Sequence, residues 1–239
     1  MTTQVIIDRR FCGPPNSGNG GYVCGLVGGL LASEAEVTLR RPPPLDTALD
    51  AEIIDNNRVR LLDRSDLVAE GRCDPVEFDI PFCPSFEQAR LASESYSGYD
   101  RHFYPTCFVC GPARTPGDGL RVFAGPMPKR KAVAAPWIPD PSLADRTGRV
   151  KAEFLWAVLD CPGYFAVNTD RHRHMLLGQM AAAVHHRPRP AERCVVAAWQ
   201  SGSQGRKHFA SSALFSETGR LLGKARTTWI ALEPPDATF

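Results

Sequence analysis

The chain has 239 residues, 43% of them apolar and 23% charged. That length accommodates one large domain or two of about 100–150 residues, each able to bury a core. A net charge of only +2 projects no long-range field, which argues against nucleic acid as the main partner, and no stretch approaches the ~18 consecutive apolar residues of a membrane span.

The N-terminal Met1-Thr2-Thr3-Gln4 lacks a basic segment followed by an apolar run, so no secretory signal is read there and a cytoplasmic location is expected. Eight cysteines (12, 24, 73, 83, 107, 110, 161 and 194) are scattered along the chain. A protein of this size does not need disulfide staples, so they are read as reduced thiols.

The first predicted element follows Ser17-Gly18-Asn19-Gly20-Gly21-Tyr22. Residues 21–32 (GYVCGLVGGLLA) are apolar almost all round, as in an enclosed helix. Glycines at 25, 28 and 29 cost up to about 1 kcal/mol each in propensity and fit a backbone packed tightly against a sheet. A strand over 36–40 stops at Arg41-Pro42-Pro43-Pro44, because proline supplies no ladder N–H. A meander follows: strands over 49–54, 59–62 and 67–73, with turns at 55–57 and 63–66. Residues 85–95 (SFEQARLASES) read as a polar helix closing the first unit, and 96–118 as a loop-rich connector.

Strands over 119–124 and 132–138 lead into the second half. A helix over 150–167 follows, and Pro162 is expected to kink or divide it. A strand over 175–185 stops at His186-Arg187-Pro188-Arg189-Pro190. Then come strands over 194–200, 208–216 and 221–232, with a turn or bulge at 201–205 and a hairpin turn at Glu217-Thr218-Gly219. Both halves thus run helix, strand, Arg-Pro-x-Pro break, meander. The repeat predicts an α+β chain of two units, 1–98 and 99–239, each a central helix wrapped by antiparallel strands, with the sheets paired edge to edge.

The segments GNGGYVCGLVGGLLA (18–32) and WAVLDCPGYFA (156–166), with His186-Arg187-Pro188 and GRLLGKA (219–225), resemble double-hotdog acyl-CoA thioesterases of the thioesterase II branch. The resemblance implies a tandem hotdog and an acyl thioester substrate carried on coenzyme A or a carrier protein. It implies no cofactor beyond coenzyme A as part of the substrate, and association of sheets such as a homodimer. It also implies a composite site in which one helix N-terminus polarises the thioester carbonyl and an Asp on the other helix activates water. Asp160 falls at that Asp. The family's partner Thr falls near Gly178, with Gln179 beside it, and its Gln near Trp229, so neither polar partner is expected.

The chemistry of the residues points the same way. Asn and Ser are good N-caps, and glycines let a ligand approach the backbone. Helix N-termini carry free N–H groups and partial positive charge, which would stabilise an oxyanion. Gly20 and Gly21 are the expected backbone donors, with the Asn19 amide a third; Tyr22 lies beside them. A tight glycine fit under the sheet is the plainer alternative. Asp160 sits in Val158-Leu159-Asp160-Cys161-Pro162, where desolvation should raise its pKa; it would be a general base or a cap for a segment starting at Pro162. Trp199, Ser201 and Ser203 alternate and would line an acyl pocket. Arg206 and Lys207, with Lys224 and Arg226 on the next strand, would either bind coenzyme A phosphates or form an ordinary solvated edge.

Cys107-Phe108-Val109-Cys110-Gly111 has the spacing of half a zinc site. With no second pair and no metal-like histidine spacing (His172 and His174 are one residue apart), no metal is expected. Cys12, Cys24 and Cys161 are read as small apolar packing residues. The function expected is thioester hydrolysis. A binding module and a dehydratase or isomerase on the same scaffold stay open, the latter through His102 reaching the site from the connector.

Overall fold

The computed structural model describes residues 2–168 and 173–232; His172 lies outside them. The strands are β1 (Thr2–Ile6), β2 (Ala35–Leu39), β3 (Ala48–Asp55), β4 (Arg58–Asp63), β5 (Asp66–Cys73), β6 (Gly125–Pro126), β7 (Ala132–Trp137), β8 (Met175–Val184), β9 (Cys194–Gln204), β10 (Lys207–Ser216) and β11 (Leu221–Ala231). They form one sheet in the order β1-β3-β4-β5-β2-β8-β11-β10-β9-β7-β6. The strands of the N-terminal and C-terminal halves of the chain meet at β2 and β8, antiparallel, in register from Ala35 opposite Ala182 to Thr38 opposite Gln179.

Two helices lie against the sheet and against each other: α1 (Gly20–Gly28) and α3 (Ala152–Val167). A third, α2 (Phe86–Ser93), opens on a capping box in which Ser85 and Gln88 satisfy each other's backbone N–H groups. The glycines of α1 have a different purpose from the one expected. A Cβ on Gly25 would stand 2.6 Å from Glu153 Cα, so this face admits α3 rather than the sheet. α1 and α3 are each buried on nearly every side, which explains their lack of a polar stripe.

Four expectations are corrected. The first helix ends at Gly28, and residues 29–32 form turns. Residues 119–124 are not a strand of the sheet; Leu120 and Val122 donate instead to the Phe108 and Val109 carbonyls, which builds the connector into the core. α2 packs on β7 and β9 of the C-terminal half, not on the strands before it, because Ala89 and Ala92 on its otherwise polar surface meet Ala134, Val195 and Ala197. α3 runs unbroken through Pro162. Ser212 Oγ donates to the Leu159 carbonyl at 2.7 Å in the turn where proline disturbs the ladder. At 201–205, Ser201 is the extra residue of a bulge: Gln200 faces Ala210 and Gly202 faces Phe209.

Candidate active site

Asn19 is the N-cap of α1. Its Oδ1 accepts the Tyr22 N–H at 2.9 Å, while its amide nitrogen is 3.5 Å from Asp160 Oδ2. The Gly21 N–H donates to the same Oδ2 at 2.9 Å. A Cβ on Gly21 would lie 2.3 Å from Asp160 Cβ, so glycine is what lets the carboxyl reach the helix end. The other oxygen, Asp160 Oδ1, is buried and has no hydrogen-bond partner among the described residues. Asp160 is 1% exposed. Burial pushes its carboxyl up to about 8; the Gly21 N–H and the Asn19 amide pull it down, and the nearby Cys107 adds to the rise. A group that titrates near neutral pH can take and return a proton.

These residues border a cavity of about 540 Å³. Its walls come from the approach to α1 (Gly18, Asn19, Gly20), from α3 (Asp160, Cys161, Tyr164), from the connector (His102, Tyr104) and from β8 and β11 (Leu177, Gly178, Trp229). Arg40, Arg41 and Arg101 also line it, and the first two pair with Glu70 and Asp66. Gly178 and Trp229, set by the resemblance against the family's Thr and Gln, both lie on the cavity wall. The Trp229 Nε1–H is committed to Thr227 Oγ1 at 3.1 Å.

The sequence-predicted residues divide into those gathered here and those held elsewhere. Asp160, Asn19, Gly20 and Gly21 converge. Gly21 does so by binding Asp160, so its N–H is engaged, and Gly20 remains as the first-turn backbone group at the cavity wall. Tyr22 is buried under Phe11, ring centroids 4.4 Å apart, and is not part of the wall. Gln179 donates to Thr38 Oγ1 at 3.0 Å across the β2–β8 seam. Trp199 packs against Phe78 and Phe82. Ser201, Ser203, Arg206 and Lys207 are exposed near the β9–β10 turn, away from the cavity. The unbroken α3 removes the alternative in which Asp160 caps a new helix at Pro162.

The connector reaches the cavity through His102, as the dehydratase or isomerase alternative required, and adds a cysteine cluster that the sequence did not place. His102 stands on the cavity wall. Cys107 and Cys110 meet Cys161 of α3, and the three sulfurs lie within 4.8 Å of one another. The apolar Phe108 and Val109 between the two connector cysteines were the available signal that this loop enters the core.

No protein-family model matches the sequence, and no curated protein matches it. Solved structures do. A tesB protein of Mycobacterium avium subspecies paratuberculosis is 16% identical, with a TM-score of 0.60 over 98% of this chain and 93% of that one. The acyl-CoA thioesterase II TesB2 of Mycobacterium marinum is 13% identical, with a TM-score of 0.61 over 98% of this chain and 93% of its own. A conserved protein of unknown function with a hot dog fold from Alicyclobacillus acidocaldarius is 10% identical, with a TM-score of 0.55 over 98% and 94% of the two chains. Identities this low establish the fold alone, a hotdog-type fold shared over nearly the whole chain. No helix among the described residues is long and apolar enough to cross a membrane.

Proposed function

We propose that the chain is a tandem of two hotdog units, with α1 and α3 as their central helices, that hydrolyses an acyl thioester, with Asp160 as the general base. One observation carries the reading. A fully buried carboxyl on one helix is held by the first-turn N–H of the other at the edge of a cavity, and its second oxygen has no partner among the described residues. That oxygen is available to a water molecule. Asp160 takes a proton as the water oxygen adds to the thioester carbonyl carbon; the carbonyl oxygen gains charge near the Gly20 N–H and the positive end of α1. The C–S bond then breaks, and the departing thiolate recovers a proton. The cavity accommodates an apolar acyl group against Leu177 and Trp229. The arginines at 40, 41 and 101, rather than Arg206 and Lys207, are the cations beside it, and they suit the phosphates of an acyl-CoA.

A binding module is the second reading. It is favoured by Gly178 and Trp229, which leave Asp160 without the polar strand partners that the family resemblance implies. Thiol release measured across short, long and aromatic acyl-CoAs, with binding followed in parallel, separates the two. The hydrolase reading predicts turnover of at least one class. Tight binding of every bound thioester with no thiol released would overturn it in favour of the binding module.

A further inference from the structure

Outside the proposed thioester chemistry, one cluster stands unused. Cys107 and Cys110 lie on the connector and Cys161 on α3, separated by 54 residues in the chain, yet the Cys107 and Cys161 sulfurs are 4.0 Å apart and all three lie within 4.8 Å of each other. Three thiolates bonded to one zinc at ~2.3 Å in tetrahedral geometry would sit ~3.8 Å apart. The cluster needs a contraction of only about 1 Å at most to meet that spacing.

The surroundings are those of a metal-thiolate site. Phe108, Val109 and Cys110 form a turn that brings the Cys110 sulfur back beside that of Cys107. The turn closes on Gly111, whose N–H bonds the Cys107 carbonyl at 2.9 Å. A Cβ there would stand 2.4 Å from the Pro105 carbonyl oxygen, so glycine is required after the second cysteine. The Asn19 amide nitrogen lies 3.8 Å from the Cys107 sulfur and 3.7 Å from the Cys161 sulfur, and the Tyr96 hydroxyl donates to the Cys110 carbonyl at 2.8 Å. Such outer partners fix thiolate ligands in place.

We propose that Cys107, Cys110 and Cys161 bind one zinc ion, which fastens the connector to α3. Soft thiolates select zinc over harder divalent ions. The fourth position is filled from the cavity side, by water or by His102, whose Nε2 is 3.3 Å from the Cys110 sulfur. The His102 Nδ1 faces the Tyr104 N–H at 2.9 Å, so ligation through Nε2 would require a proton on Nδ1 and displacement of that contact. Three thiolates leave the centre with net negative charge, so its role is to hold structure rather than to polarise a carbonyl.

The test is elemental analysis of the full-length protein purified under reducing conditions from zinc-supplemented medium, with mass-spectrometric mapping of thiol alkylation before and after chelation. The expected result is about one zinc per chain, with residues 107, 110 and 161 protected until the chelator is added. Cys161→Ser should lower the zinc content at least about tenfold. Should that variant not fold, the alkylation map of the natural chain decides. Zinc below about a tenth per chain after incubation of the reduced protein with excess zinc would overturn the proposal. So would a disulfide among these cysteines that persists in its place, or chelation that unmasks other cysteines. Neither readout depends on thioester turnover.

Discussion

Gly21→Ala tests the contact on which the site is built. The added Cβ would lie 2.3 Å from Asp160 Cβ and 2.9 Å from its Cγ and Oδ2. Carbon atoms rest ~3.5–4.0 Å apart, so α1 and α3 must separate by more than about 1 Å. The clashing atoms are a helix-anchored Cβ and a fully buried carboxyl, neither of which swings away. Overpacking of this kind costs about 1–3 kcal/mol. Drawing the Gly21 N–H off Oδ2 adds about 1–3 kcal/mol for the buried groups left unpaired. The gain in helix propensity from alanine returns up to about 1 kcal/mol. The net expectation is a loss of about 3 kcal/mol, a substantial part of the ~5–15 kcal/mol that holds a domain folded. Equilibrium urea unfolding reads it as a lower midpoint at unchanged slope. Gly202→Ala is the control, since its Cβ would meet nothing closer than Phe209 Cδ2 at 3.5 Å, and it should stay within about 1 kcal/mol of the natural chain. A Gly21→Ala protein within about 0.5 kcal/mol of the natural chain would refute the close approach of the two helices.

Other substitutions probe the surrounding contacts. Asn19→Ala removes the α1 cap as well as the amide beside Asp160; it should cost about 1 kcal/mol in unfolding experiments and lower thioester turnover. Asn19→Asp keeps a capping oxygen but sets a second carboxyl beside Asp160. It should retain more stability than Asn19→Ala at neutral pH while still losing turnover, and equal turnover to the natural chain would argue against a role for the amide. Ser212→Ala deletes the 2.7 Å bond to the Leu159 carbonyl and should destabilise by about 1–2 kcal/mol, seen as a lower thermal midpoint; no change would mean that the carbonyl is satisfied without it.

The two halves of the sheet were legible because their hydrophobic runs are bounded by strong punctuation. Arg41-Pro42-Pro43 and Arg187-Pro188 end β2 and β8, and Gly219, with φ of 84°, makes the turn into β11. The carboxyl and glycine halves of the site were legible for a different reason: each breaks the pattern of its own helix, Asp160 by charge and Gly20-Gly21 by low propensity. What sequence could not supply was partnership between distant segments. The alternation of Trp199, Ser201 and Ser203 pointed to one face, but the bulge at Ser201 and the apolar cover of Phe78 and Phe82 place that face away from the cavity. Gln179 was named from its neighbour in an alignment; in the fold, strand alternation sends it to the seam with Thr38. The connector was the largest gap. Its turns and prolines read as loop, and only the fold reveals that Tyr96, Phe108 and Val109 are core residues and that Cys161 completes a cluster begun 54 residues earlier.

The central claim is that the Asp160 carboxyl is the base. It is tested most directly by single-turnover thiol release from an acyl-CoA that the natural chain hydrolyses, comparing it with Asp160→Asn. The amide keeps the shape and an acceptor for the Gly21 N–H while losing the ability to take a proton. The account predicts a folded variant that binds the thioester and releases thiol at least about 100-fold more slowly. Release at the natural rate by a folded Asp160→Asn protein would contradict it.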